Sequence, residues 1–183
     1  MIEAVTLAGD VVLRPVTERD TEALVDAYIR NRDHLRRWEP SRPAEFFTHA
    51  GQAERLKSLL EQQARGGAVA WVLADGERVV GRMTLSTIVR GPFLSADLGY
   101  WLDAGYTGRG LATQGVRAVC RMADQELGLH RIAASTLLDN VASQTVLRKA
   151  GFEPYGLAPR YLAIDGKWQD HRLFQRILHE RPA

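Results

Sequence analysis

Two apolar periods alternate along this chain and mark out its elements. Val11–Arg14 is a short apolar run stopped by Pro15, which predicts a strand. Asp20 stands as an N-cap before Thr21–Arg32, where Ala23, Leu24, Ala27 and Tyr28 recur at helical spacing. After a break at Glu39–Pro43, the charged, Gln-rich stretch Ala50–Arg65 predicts a helix closed by Gly66-Gly67. Ala68–Ala74 and Arg78–Val89 flank Asp75-Gly76, a strong hairpin signature. Ser95–Leu102 predicts another strand. Arg109–Leu127 predicts a helix with Ala112, Val116, Val119, Ala123 and Leu127 on its buried stripe and Gln114, Arg117, Arg121 and Asp124 outside it. Gly128 ends that helix, and Arg131–Leu137 reads as a strand. Val141–Ala150 predicts a short helix capped by Asp139 or Asn140, with Gly151 past its end. Gly151–Pro159 reads as a break. Tyr161–Ile164 and Trp168–Ile177, joined by Asp165-Gly166, read as a closing hairpin.

Strands, then strand–helix–strand–helix, then strands again predict an α/β mixed sheet with helices packed on it, not a pure doubly wound sheet. The 183 residues suit a single domain spanning 1–183, and neither break is long or polar enough for an interdomain linker. With 45% apolar and 25% charged residues the chain is not a disordered one. The longest apolar run, Ala68–Ala74, falls far short of the roughly 20 residues a spanning helix needs. The start MIEAVTLAGD carries an acid where a secretory signal has basic residues, so a cytoplasmic protein without a membrane partner is expected. One cysteine makes no internal disulfide. A net charge of +2 is too slight for a nucleic-acid footprint, and the five histidines show no metal-type spacing, so neither nucleic acid nor metal is expected.

The most informative stretch runs from Gly99 to Thr113. A strand leads into a loop with glycines at 105, 108 and 110, and the loop opens a helix. Glycines let backbone approach a ligand, and a helix start offers free N–H groups with partial positive charge, which suits phosphate. Arg109 and Thr113 flank the same helix start; the plainer alternative is that the glycines only make the turn. No Gly-Lys-Ser/Thr follows, which excludes a nucleoside-triphosphate loop. Thr113 replaces the third glycine of a dinucleotide fingerprint, and no acid stands at the right distance beyond.

The strings GYWLD, GRGLAT, LGLHRI, NVAS, AGF and GKWQDH, in that order, resemble the GNAT N-acetyltransferase superfamily over about residues 10–178. Within it they are most similar to the RimJ/RimL branch, which acetylates N-terminal α-amines of ribosomal proteins. The resemblance implies a GNAT fold of about seven strands and about four helices, with the fourth and fifth strands splayed. It implies acetyl-coenzyme A as cosubstrate, held by Tyr100, Trp101 and Leu102 of the splayed strand, by Thr107, Gly108, Arg109, Gly110, Leu111, Ala112 and Thr113 of the turn, and by Asn140. The superfamily's Arg/Gln position of the turn falls on Gly105, so backbone amides carry more of the pyrophosphate.

Acetyl transfer to an amine needs a neutral amine, a held carbonyl, an oxyanion donor and a proton for the thiolate. The resemblance gives Ser143 the acid's role, and Leu147 stands where other branches carry a Tyr. Capping of the helix start is the plain alternative for Asn140 and Ser143. The resemblance offers Asp97, two residues before Gly99, as the base, an ordinary edge charge being the plain alternative, and the branch's frequent Glu position is Tyr155. Gly99 inside a strand predicts a bulge or a close backbone approach. The resemblance puts Trp38 and Glu39 in the acceptor wall, a core position being equally open for Trp38, and Phe46 is expected in the core. Cys120 is expected to pack in its helix, and Asp170-His171 to make a hydrogen-bonded strand entry. The expected acceptor is a protein N-terminus; a small amine such as an aminoglycoside or metabolite, or a non-catalytic acyl-coenzyme-A-binding module, are the alternatives. Monomer and homodimer are both compatible with the sequence.

Overall fold

The Asp75-Gly76 hairpin builds the centre of the sheet: β3 (Val69–Asp75) and β4 (Arg78–Val89) pair antiparallel and turn at Gly76, whose φ is +58°. The computed structural model describes residues 3–181. Its other strands are β1 (Val5–Thr6), β2 (Val12–Pro15), β5 (Ser95–Leu102), β6 (Arg131–Leu137), β7 (Glu153–Ile164) and β8 (Lys167–Ile177). All eight form one sheet in the order β1-β2-β3-β4-β5-β6-β8-β7, and of these pairs only β5–β6 is parallel.

The helices are α1 (Thr21–Arg30), α2 (Arg32–Arg36), α3 (His49–Ala64), α4 (Leu111–Gln125) and α5 (Val141–Lys149). They cover both faces of the sheet. Trp71, Leu73, Met83, Leu85 and Leu98 share one core cluster with Val116, Val119 and Ala123 of α4 and Leu147 of α5. Ala70, Val72, Val79 and Trp101 share the other with Leu24 and Tyr28 of α1 and Leu56 and Leu59 of α3. That two-sided burial is why β3 reads as an unbroken apolar run instead of an alternating one. Fully burying a side chain such as Leu73 or Leu85 contributes roughly 1.5–3 kcal/mol, so the two clusters dominate the fold's stability.

The mixed sheet and the GNAT architecture are as expected, with differences at several elements. β1 is an additional two-residue strand, and α2 an additional short helix. The helix predicted to Arg32 stops at Arg30 because Asn31 leaves helical geometry and its buried side chain bonds elsewhere. Asp20 does not cap α1. Its carboxylate instead accepts from the Thr17 amide at 2.7 Å and from Arg14 at 2.6 Å. α4 begins at Leu111, two residues later than predicted. The stretch read as a break, Gly151–Pro159, is largely strand β7. Proline cannot donate to a ladder, yet Pro154 and Pro159 are tolerated because β7 is the sheet's last strand and has a neighbour on one side only. Cys120 is buried in α4, and Phe46 lies in the second core, both as expected.

Candidate active site

β5 and β6 pair only through Ser95–Asp97, opposite Arg131–Ala133. Beyond Asp97 they part, while β5 stays paired with β4 through Leu102 and β6 with β8 through Leu137. The β6-facing backbone groups of Leu98–Leu102 therefore have no strand to pair with. With β1 preceding, β5 and β6 are the fourth and fifth strands of the expected fold, and the splay falls between them.

At the end of β5 the chain enters the glycine turn. Gly108 and Gly110 have φ of +75° and +77°, a left-handed conformation that side chains rarely adopt. The first intrahelical bond of α4 runs from the Gln114 amide to the Gly110 carbonyl at 3.0 Å. The amides of Leu111, Ala112 and Thr113 therefore have no helical partner. Gly110 at the N-cap brings no side chain to satisfy them. Three donors converge at the positive end of a 15-residue helix, the arrangement that binds phosphate oxygens. The Arg109 side chain, expected to offer its charge to a phosphate, and the Thr107 hydroxyl both turn back on the loop. The Arg109 guanidinium donates to the Gly105 carbonyl at 2.8 Å and lies over the Tyr106 ring, and the Thr107 hydroxyl donates to the Ala104 carbonyl at 2.9 Å. Both side chains tighten the turn, which leaves its amides as the open groups.

Asp103 anchors this turn. Its carboxylate accepts from the Gly105 amide at 2.9 Å, from Arg30 at 2.7 Å and from the Asn31 side-chain amide at 3.1 Å. Asn31 in turn accepts from the Ala104 amide at 2.9 Å. Burial alone would raise the Asp103 carboxyl, but the bonds from Asn31, Arg30 and Gly105 outweigh it and hold the group below the usual carboxylate range. The junction of α1 and α2 is thereby fixed to the start of the turn, a link that no sequence pattern announced.

Across the splay, Asn140 caps α5 by accepting from the Ser143 amide at 3.1 Å. The Ser143 hydroxyl stands 2.8 Å from the Tyr100 hydroxyl, and Tyr100 also donates toward the Ser143 carbonyl at 3.2 Å. Burial pushes the Tyr100 phenol up to about 12, against the lowering effect of Ser143. At neutral pH it is a donor. Leu147 is fully buried in the core, so no polar group comes from that position.

The opposite face of β4 and β5 bears Arg82, Thr84 and Ser86 beside Trp101, Gly99 and Asp97. Above it, α1, α3 and the segment between α2 and α3 enclose a cavity of about 660 Å³, lined by Glu39, Arg42, Arg55, Arg82, Gly99 and Trp101 among others. Trp101 donates through its indole N–H to the Tyr28 hydroxyl at 3.0 Å, which fixes the cavity floor. Glu39 is half-buried and lies 3.5 Å from Arg42. Desolvation raises its carboxyl above the ordinary range despite the charges of Arg42, Arg82 and Arg55. Gly99 pairs regularly with Thr84, so the expected bulge is absent, and a Cβ there would meet nothing within 4 Å.

The remaining expected residues fall outside this cavity. Asp97 is exposed on the same face and does not line it, and Trp38 lies under the Arg37 guanidinium. Tyr155 is exposed on β7 against Arg131. His171 is buried, with its ring nitrogen 3.1 Å from the Gln169 carbonyl, consistent with a strand entry. Arg55 and Arg82 were not singled out from sequence. Arg82 belongs to the alternating polar row Arg82-Thr84-Ser86, which reads as a solvated face until α3 is seen to cover it.

Residues 10–153 match the acetyltransferase (GNAT) domain family. The chain is 35% identical over 164 residues to the [ribosomal protein uS5]-alanine N-acetyltransferase of Escherichia coli, covering 88% of this chain and 84% of that protein. Its fold is similar to the ribosomal-protein-S5-alanine acetyltransferase of Vibrio fischeri, with a TM-score of 0.94, 32% identity and coverage of 99% and 100% of the two chains. It is also similar to Mycobacterium smegmatis RimJ in complex with a coenzyme A disulfide, with a TM-score of 0.89, 30% identity and coverage of 95% and 85%. A splayed β5–β6 pair, an uncapped helix start behind a glycine turn and these relatives agree: the chain belongs to the GNAT acetyltransferase family, in its RimJ/RimL branch, and is an acetyl-coenzyme-A-dependent N-acetyltransferase.

Proposed function

We propose that this enzyme acetylates the N-terminal α-amine of a polypeptide. The observation that carries this reading is a run of three adjoining cavities. The 660 Å³ cavity over Gly99 shares Tyr28, Glu39, Arg42 and Phe46 with one of about 420 Å³. That cavity shares Asp33, Arg36 and Asp165 with a third of about 760 Å³, which reaches the β7–β8 turn. An extended chain threading from the β7–β8 turn to β5 fits such a groove better than a compact small amine does. The acceptor named for the E. coli relative, an alanine of ribosomal protein uS5, belongs to the same class.

In this reading the pyrophosphate of acetyl-coenzyme A lies on the amides of Leu111–Thr113, and its pantetheine arm takes the free backbone groups of Gly99–Leu102, with Asn140 beside it. The amine attacks the thioester carbonyl from the Gly99 side. The C–N bond forms, a β5 amide stabilises the oxyanion, and the C–S bond then breaks. Glu39 receives the amine's proton, supported by its place in the cavity and its raised carboxyl, where Asp97 has only its face of β5. Ser143 gives its hydroxyl proton to the departing thiolate while Tyr100 donates to Ser143 Oγ. Transfer is direct. The chain's single cysteine is buried, and burial pushes its thiol up to about 11, against Arg176 and Arg121, so it is a poor nucleophile. A cytoplasmic location goes with such an acceptor.

Thiol release from acetyl-coenzyme A tests the acceptor. Release on adding peptides with a free N-terminus, abolished by blocking that terminus and absent with aminoglycosides and polyamines, is the expected result. Release with the small amines and none with peptides overturns it.

A further inference from the structure

The cavity over Gly99 holds more positive charge than its own carboxylates neutralise. Arg42, Arg55 and Arg82 come from three different elements, and all three line it. Glu39 is the half-buried carboxylate among them, and Glu54, on the exposed flank of α3, is the other acidic lining residue. The Nε atoms of Arg42 and Arg82 are buried without a hydrogen-bond partner. The Arg42 and Arg55 guanidinium carbons lie over the Phe46 ring at 4.8 and 5.0 Å, cation–π contacts that hold both charges beside the cavity. The Glu39–Arg42 pair, at 3.5 Å, is long for a charge-assisted bond.

Guanidinium groups gathered in a partly desolvated space repel one another and are costly to leave unpaired. The Arg55 guanidinium feels this directly: desolvation, then the Arg42 and Arg82 charges, lower its proton affinity. The coenzyme's phosphates do not account for the cluster. Met83, the neighbour of Arg82, packs on the α4 side of the sheet, so Arg82 projects to the other side, away from the phosphate-binding helix start. What enters this cavity is the acceptor.

From the three guanidinium groups of Arg42, Arg55 and Arg82 that line the acceptor cavity over Gly99, with the Nε atoms of Arg42 and Arg82 unpartnered, we infer that the enzyme selects acceptors bearing a carboxylate close to the acetylated amine. This deepens the proposed function and rests on it. Glu39 faces the amine, and the arginines take the carboxylate, a planar anion whose two oxygens match a guanidinium fork. Two sources share that chemistry: an Asp or Glu side chain at the second or third position of a polypeptide, and the α-carboxylate of a free amino acid.

The test compares acceptors differing by one charge. Thiol release from acetyl-coenzyme A is measured with otherwise identical peptides carrying Asp or Asn at the second or third position, and with free amino acids against their amides. At least a tenfold higher kcat/KM for the Asp peptide, collapsing in Arg82→Gln and Arg55→Gln and only partly kept in Arg82→Lys, which retains the charge without the fork, is the result expected for a side-chain carboxylate. The same discrimination between amino acid and amide, without one among the peptides, supports the inference with the free amino acid as its source. Equal kcat/KM within both pairs of acceptors overturns it, and does so on the unmodified enzyme. No thiol release with any peptide or amino acid overturns the proposed acceptor class instead, so the two failures are distinct.

Discussion

Tyr100 and Ser143 meet hydroxyl to hydroxyl, 2.8 Å apart, across the gap between β5 and the start of α5. β5 and β6 part beyond Asp97, and this side-chain bond ties β5 back to α5, the helix that follows β6. The bond puts a protonated phenol behind the serine proposed to donate to sulfur.

Ser143→Ala is therefore expected to lower kcat roughly 100-fold, within the range for loss of a general acid, with a smaller change in coenzyme A affinity. Tyr100→Phe should fall between that variant and the unmodified enzyme. Because the phenol titrates at about 12, its removal leaves the rate profile below pH 10 with unchanged shape. Steady-state thiol release across pH reads both. An unchanged kcat in Ser143→Ala removes that residue as the acid.

Glu39 and Asp97 are separated by their pH profiles. Desolvation raises the Glu39 carboxyl, so its deprotonated form appears at higher pH than for a free glutamate. The acidic limb of kcat/KM is expected above the ordinary Glu value near 4.3, and Glu39→Gln should abolish it. Asp97→Asn should leave the limb in place; a limb lost in Asp97→Asn alone returns the base to β5.

Asp103 holds the turn for both stability and binding. Asp103→Asn removes the charge facing the partly exposed Arg30 and is expected to cost about 2 kcal/mol in denaturant unfolding, the scale for a hydrogen bond to a charged group. Its folded carboxyl sits below the unfolded value, so this stabilisation is complete above pH ~3.9 and is lost as pH falls through the folded value. Coenzyme A affinity should fall in the same variant, since the Gly105 amide loses its carboxylate acceptor and Asn31, which holds the Ala104 amide, loses its own anchor. Stability curves for both proteins that remain parallel down to pH 2 contradict this assignment.

Gly99 and Gly110 separate acceptor from coenzyme. Gly99→Val points a side chain into open cavity space, so Tm is expected to hold while acceptor KM rises about tenfold or more. Gly110→Ala forces a Cβ onto a left-handed residue, about 1–2 kcal/mol of strain, and should weaken coenzyme A binding by disturbing the α4 amides. Calorimetric coenzyme A titration beside acceptor kinetics distinguishes the two effects.

Much of the fold was legible because its signals are local. The Asp75-Gly76 turn and the Asn140 cap each rest on residues within a few positions of one another and appear as expected, as do Val116, Val119 and Ala123 of the α4 stripe, whereas Ala112 is half-buried and Leu127 lies past the helix end. β7 was missed because prolines ordinarily exclude a strand, and only its place at the sheet edge lifts that exclusion. The glycine turn was legible for the same local reason: a left-handed backbone at a helix start needs glycine.

By itself, then, the amino-acid sequence determined most of the element order, the glycine turn before α4, the family and the coenzyme. Tertiary structure alone decided which side chains meet. Tyr100 reaches Ser143 over 43 residues, Asn31 reaches Asp103 over 72, and Arg82 faces Arg42 and Arg55 because α3 folds over β4. Arg109, which the turn's sequence aimed at a phosphate, folds back on the Gly105 carbonyl. Backbone conformation is set by neighbours in sequence. The charge balance of a cavity is set by which distant elements pack around it.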